Sequence, residues 1–315
     1  MPRTPKLTDA ILFDGIQQPW RRDLHCRAYP NPIVSMMSHD EMVFLSWIAE
    51  HQTQPGDAII DMGPLAGGST LAMARGARAS NASEKIIHSY DLWRYYEGHA
   101  AYFPGNNLHE GDDVFPLFWG HVAEVHQYVC PHKGDICTMT WAGEPIGILF
   151  LDAAKHPLVM AHVVNQFLPF LRPGGIFVQQ DFVSCASPWI HIAQELVSER
   201  FDVVDSPFGG SVCFLCKDQN SRDHLPPDFF SSLSPECGRN LIQRAALRVH
   251  SEERLCVDLS EAYYCLMLGN FNEAGAILER VCDDPNFGDV VKPDATIIAG
   301  HLTRGERPRL DCLDA

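Results

Sequence analysis

The stretch from Gly56 to Leu92 constrains this chain most. It opens with a short apolar run, Ala58 to Met62, that stops on the turn Gly63-Pro64-Leu65-Ala66-Gly67-Gly68. An apolar run of that length ending on glycine is the pattern of a parallel strand covered on both faces. The glycines let the backbone turn sharply and approach a ligand where a Cβ would clash. Ser69 or Thr70 then opens a helix, whose free N–H groups and positive dipole end make an anion site. A second strand ends on Asp91, an acceptor-only group suited to a ribose diol. The stretch reads as a nucleoside-binding half-fold.

The dinucleotide fingerprint is G-x-G-x-x-G, with glycines that make room for a pyrophosphate. Here the spacing is Gly63-x-x-x-Gly67-Gly68, and Leu65 stands at the second fingerprint position. This suits a smaller anion, such as the carboxylate in the methionine part of S-adenosylmethionine. An acidic residue at the second strand end serves both kinds of cofactor, so Asp91 does not discriminate between them.

Alternating strands and helices continue downstream. Ser38 and Glu41 form a capping box before an amphipathic helix that ends near Gly56. After Asp91 comes a long connection, Trp93 to Val114, with Trp93, Tyr95, Tyr96, Tyr102 and Phe103 as lid, substrate wall or ordinary packing. Val114 to Val129 reads as a helix, and Lys133 to Cys137 as the end of a third strand. IGILFLDAAK is a fourth strand ending on Asp152 and Lys155, followed by a helical spacing from Pro157 to Leu171. Pro173-Gly174-Gly175 reads as a turn before the strand IFVQQDF, and a helix follows from about Pro188 to Glu199. Two last strands, FDVVDSPF and SVCFLCKD, join through Gly209-Gly210 as a hairpin. The fold class predicted is α/β: a doubly wound, mostly parallel seven-stranded sheet with a closing antiparallel hairpin. Asp61, Asp91, Asp135, Asp152 and Asp181 then fall at or near the carboxyl edge, where such sheets bind ligands.

Three regions follow from this pattern: an N-terminal arm over residues 1–36, the sheet domain over 37–220 and a helical extension over 221–315. The extension contains one segment, EAYYCLMLGNFNEAGAILERVCDDPNF, with the turn and closing D-P of a tetratricopeptide repeat. One such repeat cannot bury a continuous core, so a single helical hairpin is expected, with an extended or poorly ordered tail after about Pro285.

The 315 residues carry a net charge of −16, a field that repels nucleic acid and anionic membranes. The local basic excess at Arg21, Arg22 and Arg27 is too short to reverse this. Eleven cysteines without disulfide-framework spacing, no signal-peptide pattern and no run of ~18 apolar residues point to a reduced, cytoplasmic protein. Cys213 and Cys216, three apart on a strand, would face opposite sides.

Read together, PGDAIIDMGPLAGGST, YDLWRYYEG, KGDICTMTW, ILFLDAAKH and LRPGGIFVQQDF resemble the class I S-adenosylmethionine-dependent methyltransferases, and among them the macrocin O-methyltransferase family. The resemblance spans about residues 33 to 218. It implies S-adenosylmethionine as cofactor, with Asp61 and Gly63 against its amino-acid part and Gly67, Gly68 and Ser69 near its carboxylate. Asp91 and Leu92 would lie at the ribose, and Asp135 and Ile136 at the adenine. Asp152 would sit beside the transferable methyl.

In metal-dependent relatives Asp152 also binds magnesium, beside two acidic or amide ligands after the fifth strand. Those places hold Gln180 and Asp181 here, so the implied metal set is Asp152, Gln180 and Asp181, with Mg²⁺ optional. Asp152-Ala-Ala-Lys155 is also similar to the D-x-x-K of catechol and caffeoyl-CoA O-methyltransferases, whose lysine serves near the acceptor hydroxyl. Lys155 and the adjacent His156 are both candidates for the general base, and a solvated Lys155 is the bland alternative. The reading is methyl transfer to a small-molecule hydroxyl, of sugar or phenol type, by in-line displacement in a protein compatible with a homodimer. The other readings are a methyltransferase-like binding or assembly protein without catalysis and a nicotinamide-dependent oxidoreductase.

Overall fold

The structure is a computed structural model, which describes residues 19–22, 31–80, 85–205, 209–218, 224–249 and 251–308. Most of the N-terminal arm, Arg27 and the Arg22 side chain lie outside the described residues. Within a helical turn at Pro19–Arg22 (α1), Arg21 lies over the Trp20 ring and pairs with Asp40 at 3.3 Å. Among the described residues no helix is long and apolar enough to cross a membrane.

The chain forms two compact units. The first comprises residues 1–153, 166–180 and 200–221; the second comprises 154–165, 181–199 and 222–315.

The first unit holds a seven-stranded sheet in the order β3-β2-β1-β4-β5-β7-β6. Its members are β1 (Ala58–Met62), β2 (Ile87–Asp91), β3 (Val129–Lys133), β4 (Ile146–Leu151), β5 (Leu171–Gln179), β6 (Phe201–Asp205) and β7 (Val212–Cys216). The first five run parallel, and β7 pairs antiparallel with both β5 and β6, as the sequence pattern predicts. β1 and β4 are buried at every position, which is why both read as unbroken apolar runs.

Helix α2 (His39–His51) carries the predicted capping box: Ser38 and Glu41 each bond the other's backbone N–H. It packs on α3 (Gly68–Ala79) so closely that a Cβ on Gly76 would overlap the Ser46 carbonyl. A buried ion pair ties the chain before β1 to the start of β5. Arg172 donates from Nε to both oxygens of Asp57 at 2.9 Å and from Nη2 at 2.7 Å.

Several boundaries differ from expectation. The segment read as one helix from Val114 is a short helix α4 (Phe115–His121) followed by a 3-10 turn, Ala123–Tyr128. β3 lies earlier than predicted, at Val129–Lys133, and Gly134 with φ +150° ends it. Its sequence VCPHK has no apolar run because it is an edge strand. Pro173-Gly174-Gly175 lies inside β5 as an irregularity in its pairing with β4, and is not a preceding turn.

In the second unit, α5 (Pro157–Gln166) belongs up to residue 165 and α6 (Pro188–Leu196) entirely. They join α7 (Phe229–Ser232), α8 (Pro235–Ala246), α9 (Ser251–Met267), α10 (Phe271–Cys282) and α11 (Lys292–Arg304). Leu259, Ala262, Leu266, Ala274 and Ile277 make the core of the α9–α10 hairpin, with Ile298 of α11 in the same cluster. Within the tail predicted to be extended or poorly ordered, Lys292–Arg304 is helical. Asp294 of that helix accepts the Cys185 N–H at 2.8 Å, and burial pushes its carboxyl up to about 6.

Candidate functional site

The carboxyl edge of β1 builds the centre of the site. Gly63 takes φ +87°, and a Cβ there would stand 2.9 Å from the Asp152 carbonyl oxygen, so this turn passes directly over the end of β4. Gly67, at φ +102°, is the N-cap of α3, and its Cα faces Phe118 and Val122. Leu65 between them adopts φ +47°, an uncommon conformation for a side chain of its bulk.

Asp61 is fully buried, and its carboxylate accepts hydrogen bonds from Ser69 Oγ (3.0 and 3.1 Å) and Thr70 Oγ1 (2.5 Å). With the Thr70 proton committed to Asp61, the Ser89 hydroxyl 3.0 Å away donates to Thr70. Asp61 thus ties β1 to the first turn of α3 and to β2. Burial, outweighing these hydroxyls, pushes its pKa up to about 7, with Asp152 and Asp91 adding repulsion.

A measurable pH dependence follows. The folded state holds this proton more tightly than the unfolded chain, whose value is near 3.8. Stability from this group is present at low pH and is lost as pH rises towards 7, at up to about 1.4 kcal/mol per pH unit. Asp61→Asn has no such proton. Urea unfolding across that range is expected to show the variant gaining on wild type as pH rises; a constant difference would refute the assignment.

Asp91, the last residue of β2, accepts two backbone hydrogen bonds: Leu65 N–H to Oδ2 at 3.0 Å and Trp93 N–H to Oδ1 at 2.6 Å. Both donors belong to residues at φ +47°. Burial raises its pKa above the ordinary carboxylate value. Leu92 next to it is exposed. Asp135 accepts the Cys137 N–H at 2.8 Å and caps a 3-10 turn in which Ile136 is buried.

Asp152 follows β4, its N–H donating to the Met62 carbonyl at 2.8 Å. With Gly63 to Ala66, Gly68, Ser69 and the segment Val34 to Met37, it lines a narrow cavity. About 20 Å³ is open there, room for about one water molecule. Asn31 secures this covering segment by donating to the Gly68 carbonyl at 2.9 Å.

Gln180 lies one residue beyond β5 and is buried. Its side chain meets Ser211 Oγ, which is also 2.7 Å from Glu41 Oε1. The atom of Gln180 that faces Ser211 is Oε1, so the amide oxygen and the Glu41 carboxylate share the one hydroxyl.

The other sequence candidates belong to the second unit. Lys155 is ion-paired with Asp181, which itself sits at φ +61°. His156 accepts the Leu158 N–H at Nδ1, 3.1 Å away. In that arrangement the neutral ring carries its proton on Nε2.

Among the loop aromatics, Trp93, Tyr95 and Phe103 are buried in the sheet unit's core, while Tyr96 and Tyr102 are partly exposed. Sequence reasoning missed His121, whose Nδ1 is 2.8 Å from the Ala66 carbonyl, and the Ser35 side chain against Gly68. Neither sits in a recognisable motif.

Residues 60–182 match the family model of a methyltransferase domain. No curated protein matches the chain. Among solved structures it is similar to the O-methyltransferase NovP, with 14% identity over 58% of this chain and 82% of that one and a TM-score of 0.45. It is similar to the calicheamicin methyltransferase CalS11, with 14% identity over 67% and 90% and a TM-score of 0.41. The Podospora anserina methyltransferase PaMTH1, bound to SAH, gives 16% identity over 64% and 89% and a TM-score of 0.42.

Proposed function

We propose that this chain, in which residues 60–182 are a methyltransferase domain, transfers a methyl group from S-adenosylmethionine to a hydroxyl oxygen of a small molecule. The observation that carries the reading is the turn after β1, held from below by Asp61 and from the side by Asp91. Asp91 gives each backbone N–H one oxygen, and each carboxylate oxygen has a second lone pair for a ribose diol. The first turn of α3 offers its dipole end to the cofactor's carboxylate. Asp135 and Ile136 are assigned to the adenine side, and Leu92 beside Asp91 to the ribose. The cavity at this turn is far smaller than the ~300–1,000 Å³ of a ligand pocket, so Val34 to Met37 must withdraw when cofactor enters.

When bound, S-adenosylmethionine supplies an already activated methyl group, which leaves the protein to orient the acceptor and remove its proton. Lys155 is unsuited to the second task, since an ammonium paired with Asp181 has no free electron pair. His156 accepts the Leu158 N–H at Nδ1, which in the neutral ring leaves no lone pair on Nε2 for that task. Asp152 remains, on the wall of the cavity beside Gly63, and we assign it as the proton acceptor.

The residues do not fit magnesium: Asp181 is neutralised by Lys155, and the Gln180 oxygen is engaged by Ser211. A hard cation bound through oxygens gains little from such a set, and no step is assigned to it.

Calorimetry with S-adenosylhomocysteine is expected to give one site per chain; absence of binding sinks the reading. A panel of sugar and phenol acceptors, read by mass for an added methyl, then tests the chemistry. Asp152→Asn should reduce turnover about 100-fold, the lower end for loss of a general base, with cofactor affinity unchanged. Cofactor binding without methyl release on any acceptor would favour the binding-protein reading, to which the Lys155–Asp181 pair also lends itself.

A further inference from the structure

His88 of β2 and Cys130 and His132 of β3 converge on one face of the sheet, although neither strand carries a metal-binding motif. The parallel register sets His88 beside Cys130 and Tyr90 beside His132, so all four side chains project to the same side. His88 Nδ1 lies 3.0 Å from His132 Nε2. One ligand atom from each of His88, Cys130 and His132 lies within 4.8 Å of the others. All three residues are partly buried, between the enclosed sheet and solvent.

We propose that His88, Cys130 and His132 form a binding site for a borderline-soft divalent cation, Zn²⁺ by preference, with three protein ligands and one open position. The donor set excludes the alternatives: two imidazoles and a thiolate select zinc or another late transition metal, whereas magnesium and calcium require oxygens. The spacing is close to what such an ion needs. Metal–nitrogen bonds of ~2.0–2.1 Å in a tetrahedron set two nitrogens about 3.3 Å apart. The two rings therefore need to part by only a few tenths of an ångström.

The rings are also held for the task. Tyr90 stacks on His132 at 4.3 Å with an interplanar angle of 8°, and Trp141 meets His88 edge-on at 4.8 Å. Trp141 is itself fixed by donating from Nε1 to the Glu144 carbonyl at 2.8 Å. A cleft of about 540 Å³, lined by Tyr90, His132, Met139 and Trp141, opens beside His132 and gives the ion access from solvent. The open coordination position can be filled by water or by an exchangeable ligand from that cleft, the arrangement of sites that do more than fasten a fold.

The test uses the full chain, stripped with chelator and titrated with Co²⁺ alone. The expected result is one Co²⁺ per chain, with tetrahedral d–d bands and a thiolate-to-metal charge-transfer band, both bleached by Zn²⁺. Cys130→Ser should remove the charge-transfer band. His132→Gln keeps the thiol and should weaken Co²⁺ binding beyond the ~10–100-fold typical of losing an outer-shell partner. Cys137→Ser, at the next thiol along the chain, should leave the spectrum as in wild type. Should Cys130→Ser fail to fold, as read by far-ultraviolet circular dichroism, His132→Gln and His88→Asn carry the comparison. A wild-type chain without the charge-transfer band, or a band that survives Cys130→Ser or both histidine variants, overturns the site.

Discussion

Arg172→Ala is expected to destabilise the sheet unit by about 3–5 kcal/mol, the usual cost of stranding one member of a buried ion pair. Asp57 and Arg172 have side-chain exposures of 5% and 12%, so solvent screens the pair little. The guanidinium engages both Asp57 oxygens and also donates to the Gln52 carbonyl at 3.1 Å. Its removal leaves the carboxylate with the Gln54 N–H at 2.6 Å among its described bonds. Arg172→Lys should recover only part, because one ammonium cannot reproduce the planar fork. Urea denaturation of wild type, both single alanine variants and the double variant makes the decisive comparison. The double variant should be markedly less destabilised than the two single losses added together, because neither member of the pair is then left buried without the other. Simple additivity would show that the pair is not coupled.

The second large effect is expected at Asp91. Asp91→Ala removes the partner of two backbone N–H groups at once, each worth about 1–3 kcal/mol when left buried and unsatisfied. It also frees Leu65 and Trp93 from φ +47° conformations that cost of order 1–3 kcal/mol to maintain. The glycine turn should relax, and affinity for S-adenosylhomocysteine should fall at least about 100-fold, the equivalent of losing two charged hydrogen bonds at ~1.5 kcal/mol each. Asp91→Asn is expected to be nearly as damaging: an amide has one accepting oxygen and would turn its NH₂ against an N–H donor. Undiminished binding by either variant in calorimetry would remove Asp91 from the proposed cofactor site.

The sheet was legible where burial leaves a strong signature. β1 and β4 are enclosed on both faces and appear as apolar runs; Ser38 and Glu41 announce their helix by side-chain chemistry. β3 was not, because VCPHK at the sheet edge is part-polar and contains a proline. The helix Lys292–Arg304 was missed because its buried face is small, with only Ala295 and Ile298 fully covered. At the site, the sequence located Asp61 and Asp91 but not what they hold. A hydroxyl–carboxylate bond eight residues apart and a carboxylate reaching 26 residues back have no local pattern. The same is true of His88 and His132, 44 residues apart and joined only by strand register. Lys155 shows the converse: its motif was conspicuous, and its pairing with Asp181 redirects the chemistry expected of it.

The second unit draws on three separate stretches of chain, and this limits how the gene can be rearranged. A segment beginning at residue 222 would carry Leu259, Ile277 and Ile298 but not Cys185, which shares their core, nor His191, which meets Ser260 at 3.0 Å. The carboxy-terminal helices are therefore not a cassette that could be cut away at residue 222 with their core intact. Trimming the chain at that point would leave Cys185 and His191 without the helices they pack against, so the three stretches form one unit.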